Sequence, residues 1–366
     1  MKKRLLLVSI VAVGAWLSGT AHAFPEMVRE GYPNCITCHV SPNGGGVLTD
    51  YGRQISADLL STWAAKGESD FLYGAVKPPS WLNVGGDVRV LQDYMDTPQL
   101  TMEQFFLMQA DAEAAVNVGK FTADATLGKN YLSGPGPYSF LDNFLSRRHY
   151  VMYHANDQIE IRAGRFNQAF GINTPDHAIV TKQGLNWDEG TETYNVEAAW
   201  IGDNADVFLT ANFGRFSDQT FEKGFAARGS YTLSDTYKAG LSYYFGTSPL
   251  TGSRHVFGPF FILGFTHHFF LLSETDLQRA YPAGGVAPSW GEVTYNRLDY
   301  EWIQGLHTYV TAEFNYAGPV LPQQSFGLGV QWFPRPHLEA NLAWQKQKYP
   351  DLPFQDFAYI MLHYYL

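Results

Sequence analysis

Cys35-Ile36-Thr37-Cys38-His39 is the stretch of this chain whose residue types and spacing point most directly to chemistry. Two thiols three positions apart match the two vinyl groups of one haem. The adjacent histidine then places an imidazole on the iron, the arrangement of a c-type attachment. A disulfide, a thioredoxin-like redox pair and half a zinc site are the other readings of such a pair. The thioredoxin reading needs a βαβ context that the surrounding pattern lacks. The zinc reading needs further cysteine ligands, and Cys35 and Cys38 are the only two cysteines. The expected cofactor is therefore one covalent haem c on Cys35, Cys38 and His39.

The neighbouring residues suggest how such a group would be surrounded. Gly44-Gly45-Gly46, inside Ser41–Gly46, would let backbone approach a porphyrin closely, or would serve as a plain flexible loop. Arg53 is a candidate partner for a haem propionate; a solvated arginine is the alternative. For a sixth iron ligand the candidates are Met27, upstream of the cysteines, and His363, four residues from the end of the chain. An open, five-coordinate iron is the third possibility.

The elements that must position these residues fall into three parts. Residues 1–23 read as a secretory signal: Lys2, Lys3 and Arg4, an apolar run from Leu5 to Leu17, then Ala21-His22-Ala23 as a small-x-small cleavage site. Export also suits covalent haem attachment. Residues 24–80 form a Gly- and Pro-punctuated haem segment. In it Ile55, Leu59, Leu60 and Trp63 recur at helical spacing, Gly67 is a helix stop, and Lys77-Pro78-Pro79-Ser80 is a linker. From residue 81 to 366 the period changes to two. Phe106, Met108, Ala110, Ala112, Ala114 and Val116 oppose Gln109, Asp111, Glu113 and Asn117. Tyr194, Val196, Ala198 and Trp200 oppose Asn195 and Glu197. Segments of about ten residues with one apolar and one polar face mark strands of a transmembrane antiparallel β-barrel.

A soluble sandwich also alternates, but here aromatic residues gather near strand ends and short connections alternate with long ones. The short ones fall near Gly119-Lys120, Asn156-Asp157, Gly202-Asp203, Ser234-Asp235, His267, Gly305 and Pro334-Arg335. The long ones fall near 132–142, 167–190, 215–222, 247–254 and 281–292. The count is about sixteen strands, so the fold expected is all-β: a barrel with the haem segment plugging it or docked on it. Short turns then face the periplasm, with both termini and the haem segment on that side of a bacterial outer membrane. The predicted lumen carries Asp87, Arg89, Asp111, Glu113, Arg162, Glu197, Arg228, Lys238, Arg297, Asp299, Glu301, Glu313 and Glu339, a mixed ladder that solvates the interior or sets its potential. The segment 167–190 is read as an outer loop folded over the pore.

Composition narrows the function further. Only 16% of the 366 residues are charged and 16% are aromatic, against about 25% charged in an average chain, which excludes a disordered protein. A net charge of -10 with no basic block argues against a nucleic-acid partner. No nucleophile–base pair, dinucleotide fingerprint or nucleotide loop supports a conventional enzyme.

A single-haem segment followed by a barrel resembles the fused monohaem cytochrome c–porin outer-membrane family of iron-oxidising bacteria. The matching residues are Pro25, Arg29 and Gly31, then Cys35-x-x-Cys38-His39, then Gly52-Arg53. The Ser41–Gly46 stretch and the lack of a Phe-Lys-x-x-Gly-Tyr continuation after Gly52-Arg53 depart from that family, so a sister family with another redox partner is the alternative. The resemblance implies an electron conduit between an external donor or acceptor, such as Fe(II), and a periplasmic carrier, such as a soluble cytochrome. Two further functions compete with it: a solute porin whose haem segment is a structural or gating plug, and a haem-based sensor or redox enzyme.

Overall fold

The computed structural model describes residues 25–97, 100–129, 144–176, 179–216, 218–317 and 322–366. The expected signal segment, 1–23, lies outside the described residues. From Leu82 onward the chain forms one closed antiparallel sheet. It runs from β1 (Leu82–Asp96) to β17 (Phe354–Tyr365), and these two pair with each other, Asp87 opposite Tyr365. Within it, β4 (Phe144–Leu145) and β5 (His149–His154) both pair with β3 (Phe121–Lys129) and act as two pieces of one stave. The wall therefore has sixteen staves. Closure leaves no unpaired edge, so every wall strand finds its hydrogen-bond partners within the wall, as a membrane demands.

The wall is inside-out relative to a water-soluble protein. In β3, Thr122, Asp124 and Thr126 are buried, while Phe121 and Leu127 are exposed. The same inversion holds around the ring: Leu209, Val310, Ile360 and Leu362 face outward, and Glu197, Arg297, Asp299 and Glu339 face inward. Alternation produces this because a period of two sends successive side chains to opposite faces.

All seven short turns expected from the sequence fall between wall strands at one end. The long connections differ. Strand β10 (Tyr237–Ser248) is followed by β11 from Gly252, so the hairpin ladder consumes most of the expected 247–254 loop. The segment Phe257 to Leu272 is two strands and a turn: β11 (Gly252–Gly264), then β12 (Phe269–Pro282). The expected 132–142 loop lies outside the described residues.

Residues 25–61 enter the lumen from the short-turn end. The helix there, α1 (Asp50–Ile55), is capped by the Thr49 hydroxyl, which accepts from Gly52 N at 3.0 Å, and it passes into one π turn over Ser56–Leu60. It stops well short of Gly67. Ser61 is extended, and Trp63 leaves the helix for a ring on the wall, Trp332, with centroids 5.8 Å apart.

Candidate functional site

The C-x-x-C-H residues occupy a tight turn inside the lumen. The His39 and Cys38 amides both donate to the Cys35 carbonyl, at 3.0 and 3.1 Å. A short hairpin follows, in which Val40 N donates to Val47 O at 3.1 Å. Gly44, Gly45 and Gly46 close it, all in the left-handed region (φ +84°, +73° and +72°). Two of them also have close neighbours. A Cβ on Gly44 would stand 3.2 Å from the Cys35 Sγ, and one on Gly46 would stand 2.6 Å from the Glu113 carboxylate. Close approach, rather than flexibility, explains these glycines.

This turn faces a chamber enclosed by three bodies: the plug, the wall and the 167–187 part of the connection between β6 (Ile159–Phe166) and β7 (Thr193–Ile201). Atom-free space is left between these three bodies, part of it open to water. Cys35 and His39 line it. Cys38 is buried behind them, and the two thiols are unbridged. Burial raises both thiol pKa values, Cys38 to about 12, so neither is the thiolate that a redox pair would use. The His39 Nδ1 lies 3.3 Å from the Gly46 carbonyl oxygen. In the tautomer that donates this bond, Nε2 carries the lone pair, the orientation that a second-shell carbonyl gives a metal-binding histidine.

The rest of the lining is mixed. Phe166, Phe170, Ile172, Phe208 and Ile262 supply apolar surface. Arg228 and Lys238 supply charge, and both hold the single carboxylate of Asp206, at 2.7 and 2.6 Å. Two cations on one anion leave a positive spot beside Cys35.

The chamber is bridged. Arg162 lies fully buried in the wall, paired with Glu197 at 2.7 Å, and donates to Ser41 Oγ and Asn43 Oδ1 of the plug, each at 3.0 Å. Asn173 of the inward loop donates to the Asn43 carbonyl at 2.7 Å. The loop is tied down in turn: Ile172 N donates to Glu274 at 2.7 Å, Val180 N to Glu313 at 3.0 Å, and Arg254 to the Leu185 carbonyl at 2.8 Å. Ile172, Ile179, Val180 and Leu185 are buried within the barrel. The sequence reading placed this segment over the pore from outside. Its run of apolar side chains, out of place in a solvated loop, was the signal for insertion.

Three residues proposed from sequence sit differently from expectation. Arg53 does not line the chamber; it donates to the Leu48 and Val84 carbonyls, both at 3.2 Å, and pairs with Asp50. It fastens the plug to β1. Met27 packs with Leu60 and Phe333 in a small apolar cluster, of which Leu60 borders the chamber and Met27 does not. His363 does face the chamber, but its Nδ1 is 2.9 Å from Glu339 and its Nε2 is 2.9 Å from Asp87. With both nitrogens held by carboxylates it has none to offer an iron. Among the described residues no group of three His, Cys, Asp or Glu side chains is placed to hold a metal ion, and His177 of the inward loop lies outside them.

No family model matches the chain, and no curated protein matches it. Solved structures do. The outer membrane channel DcaP of Acinetobacter baumannii is similar at TM-score 0.56 and 11% identity, over 80% of this chain and 99% of that one. OmpF of Salmonella typhi gives TM-score 0.59 and 8% identity, over 78% and 97%. Outer-membrane expressed OmpT of Vibrio cholerae gives 0.58 and 10%, over 80% and 100%. At such identities the likeness establishes a porin-type barrel fold.

Proposed function

We propose that this chain is an outer-membrane barrel closed from its periplasmic, short-turn end by its own N-terminal segment. In this reading Cys35, Cys38 and His39 would hold one covalent haem c, which would supply electron transfer through the lumen. The observation that carries the reading is the position of the C-x-x-C-H turn: Cys35 and His39 open onto a chamber within a barrel whose through-path is bridged by Arg162, Asn43 and Asn173. When bound, the haem supplies reversible one-electron chemistry. The chain's residues fit it in several ways. The apolar flank of Phe170, Ile172 and Phe208 suits a macrocycle. The positive spot of Arg228 and Lys238 suits carboxylates at its rim. The Gly46 carbonyl orients the His39 ring. The second thioether asks the most of the fold, because Cys38 has to turn out from its buried position. Ferrous iron as outer donor and a soluble periplasmic cytochrome as carrier are the partners the motif resemblance suggests.

A second reading is a solute porin in which the same haem-bearing segment is a structural or gating plug. The fold likeness taken alone favours this reading over the conduit, because the similar structures include one described as an outer membrane channel and one, from Rhodopseudomonas blastica, described as a porin.

The two separate in one preparation. Purified protein is first checked for haem that survives denaturation, then reconstituted in liposomes that enclose a redox dye. External ferrous iron is added, with the Cys35→Ala/Cys38→Ala chain as control. Haem reduction followed by haem-dependent dye reduction is the expected result. Haem that is present but never passes electrons inward, together with solute swelling of the same liposomes, gives the function to the gated porin. No covalent haem at all removes both cofactor readings.

A further inference from the structure

Residues 62–81 do more than join plug to wall. The chain leaves the lumen over the rim beside the turn that follows β15 (Gln324–Trp332): Thr62 N donates to the Phe333 carbonyl at 2.8 Å and Trp63 N to the Pro334 carbonyl at 3.1 Å. It then turns outward. Trp63 stands edge-on to Trp332, and Trp332 Nε1 donates to the Thr62 hydroxyl at 3.0 Å. Trp332 ends the outward row Phe326, Leu328 and Val330, which the barrel presents to lipid. Further along, Tyr73 stands edge-on to His337 and lies beside Tyr364, the last member of the outward row Ile360, Leu362 and Tyr364 on β17. Two separate points of this segment thus meet the lipid-facing side of the wall.

Its exposed side chains match that position. Trp63, Tyr73, Val76 and Trp81 are each 50–56% exposed, and Leu72 is 39% exposed. Leu72 and Tyr73 are held at φ +47° and +57°, followed by Gly74 at +77°. Left-handed backbone is unfavourable for leucine and tyrosine and persists where it serves a purpose. Here it turns two large apolar side chains outward together. Polar contacts stay on the rim side, where Glu68 pairs with Arg335 at 2.9 Å.

We propose that residues 62–81 form an interfacial collar, with Trp63, Leu72, Tyr73 and Val76 seated in the phospholipid leaflet at the short-turn end. The collar continues the aromatic belt with which a barrel meets the headgroup region. The occupant is lipid: the surface is an extension of the lipid-facing rows, rich in Trp and Tyr, and flanked by Lys66 and Lys77, which suit phosphate headgroups. The plug is then anchored from outside the barrel it fills. This inference rests on the membrane-barrel reading and is independent of the haem.

The test uses the full chain in nanodiscs, where both faces are accessible, made with plain or acyl-brominated phosphatidylcholine. The Cys35→Ala/Cys38→Ala background removes haem quenching. The fluorescence lost on Trp63→Phe is the Trp63 signal, and Trp344→Phe supplies the same quantity for an outward wall residue. Bromolipid is expected to lower both by about twofold, with little quenching of Trp63 by acrylamide. As a second measurement, Leu72→Asp/Val76→Asp should speed tryptic cleavage after Lys66 roughly tenfold, because the collar lifts from the bilayer. A Trp63 signal that acrylamide quenches and bromolipid does not, while the Trp344 signal responds to bromolipid, overturns the collar and leaves the barrel standing. If bromolipid quenches neither, the membrane-barrel reading itself falls.

Discussion

The wall and the plug are built on different physics. In the wall, each strand gives its backbone hydrogen bonds to two neighbours, and a side chain has to satisfy little more than polarity and parity. In the plug there is almost no regular structure. Its short turns are held by individual bonds to the lumen: Arg29 to Glu301 at 2.6 Å, Asn34 to the Gly202 carbonyl at 2.8 Å, Ser56 to Tyr365 at 2.9 Å, and Arg162 to Ser41 and Asn43. A segment of this size cannot bury a sufficient core of its own, so it uses the lumen as one. The wall is therefore redundant, and the plug depends on specific contacts.

Deleting residues 25–80 separates the two regions most sharply. The wall closes through its own ladder, β1 on β17, so the truncated barrel is expected to fold and to stay heat-resistant on gels. Its single-channel conductance in a planar bilayer should exceed that of the full chain on the order of tenfold, since without the plug only the inserted loop remains in a sixteen-strand lumen wide enough for an aqueous channel. A truncated chain that does not fold would show that the plug templates the wall.

Arg162→Ala tests the joint between them. Its guanidinium is fully buried between Glu197 and the plug, so removal strands a buried carboxylate and cuts two bonds to the 41–43 turn. A loss of about 3–5 kcal/mol is expected locally, read as faster amide exchange over residues 39–48 with the wall strands unchanged. Equal loosening of the wall would mean that the two regions are not separable.

The same contrast explains what was legible from sequence. Strand parity, the seven short turns and the inward charges follow from a period-two pattern, which any wall strand must obey. The C-x-x-C-H turn forms where the motif stands because Cys35, Cys38 and His39 are joined by local backbone bonds. The places of Arg53, Met27 and His363 were not legible, because their partners come from the tertiary arrangement: Val84 on β1, Phe333 after β15, and Asp87 with Glu339 across three adjacent strands. The helix expected to reach Gly67 stops at Leu60 because Trp63 is drawn to Trp332, a pairing no local pattern encodes.

Gly46→Ala is a smaller perturbation that acts on the plug alone. The new Cβ meets the Glu113 carboxylate at 2.6 Å, on backbone at φ +72°. An effect of about 1–3 kcal/mol is expected, again seen as exchange over the 39–48 hairpin. Gly119→Ala, in a wall turn with a similar φ of +59° and open space around it, should cost less and leave the plug's exchange untouched.

The smallest effect is on pH. Glu26 sits in the plug's first turn (Pro25–Glu30), 6% exposed, and burial raises its carboxyl pKa despite the charges of Arg297 and His307 nearby. A carboxyl whose pKa is raised in the seated state favours seating while it is protonated. That contribution is fully present below its ordinary value of 4.5 and is lost as the pH climbs from there through the raised value. Exchange protection of residues 25–32, corrected for the intrinsic rate, should therefore fall with rising pH in the native chain. Glu26→Gln stays neutral throughout, so its profile should be flat and its plug better protected at neutral pH. The wall strands serve as the internal reference. A native profile as flat as that of the variant would mean that Arg297 holds Glu26 ionised in place, and that this turn is seated by charge pairing rather than by burial.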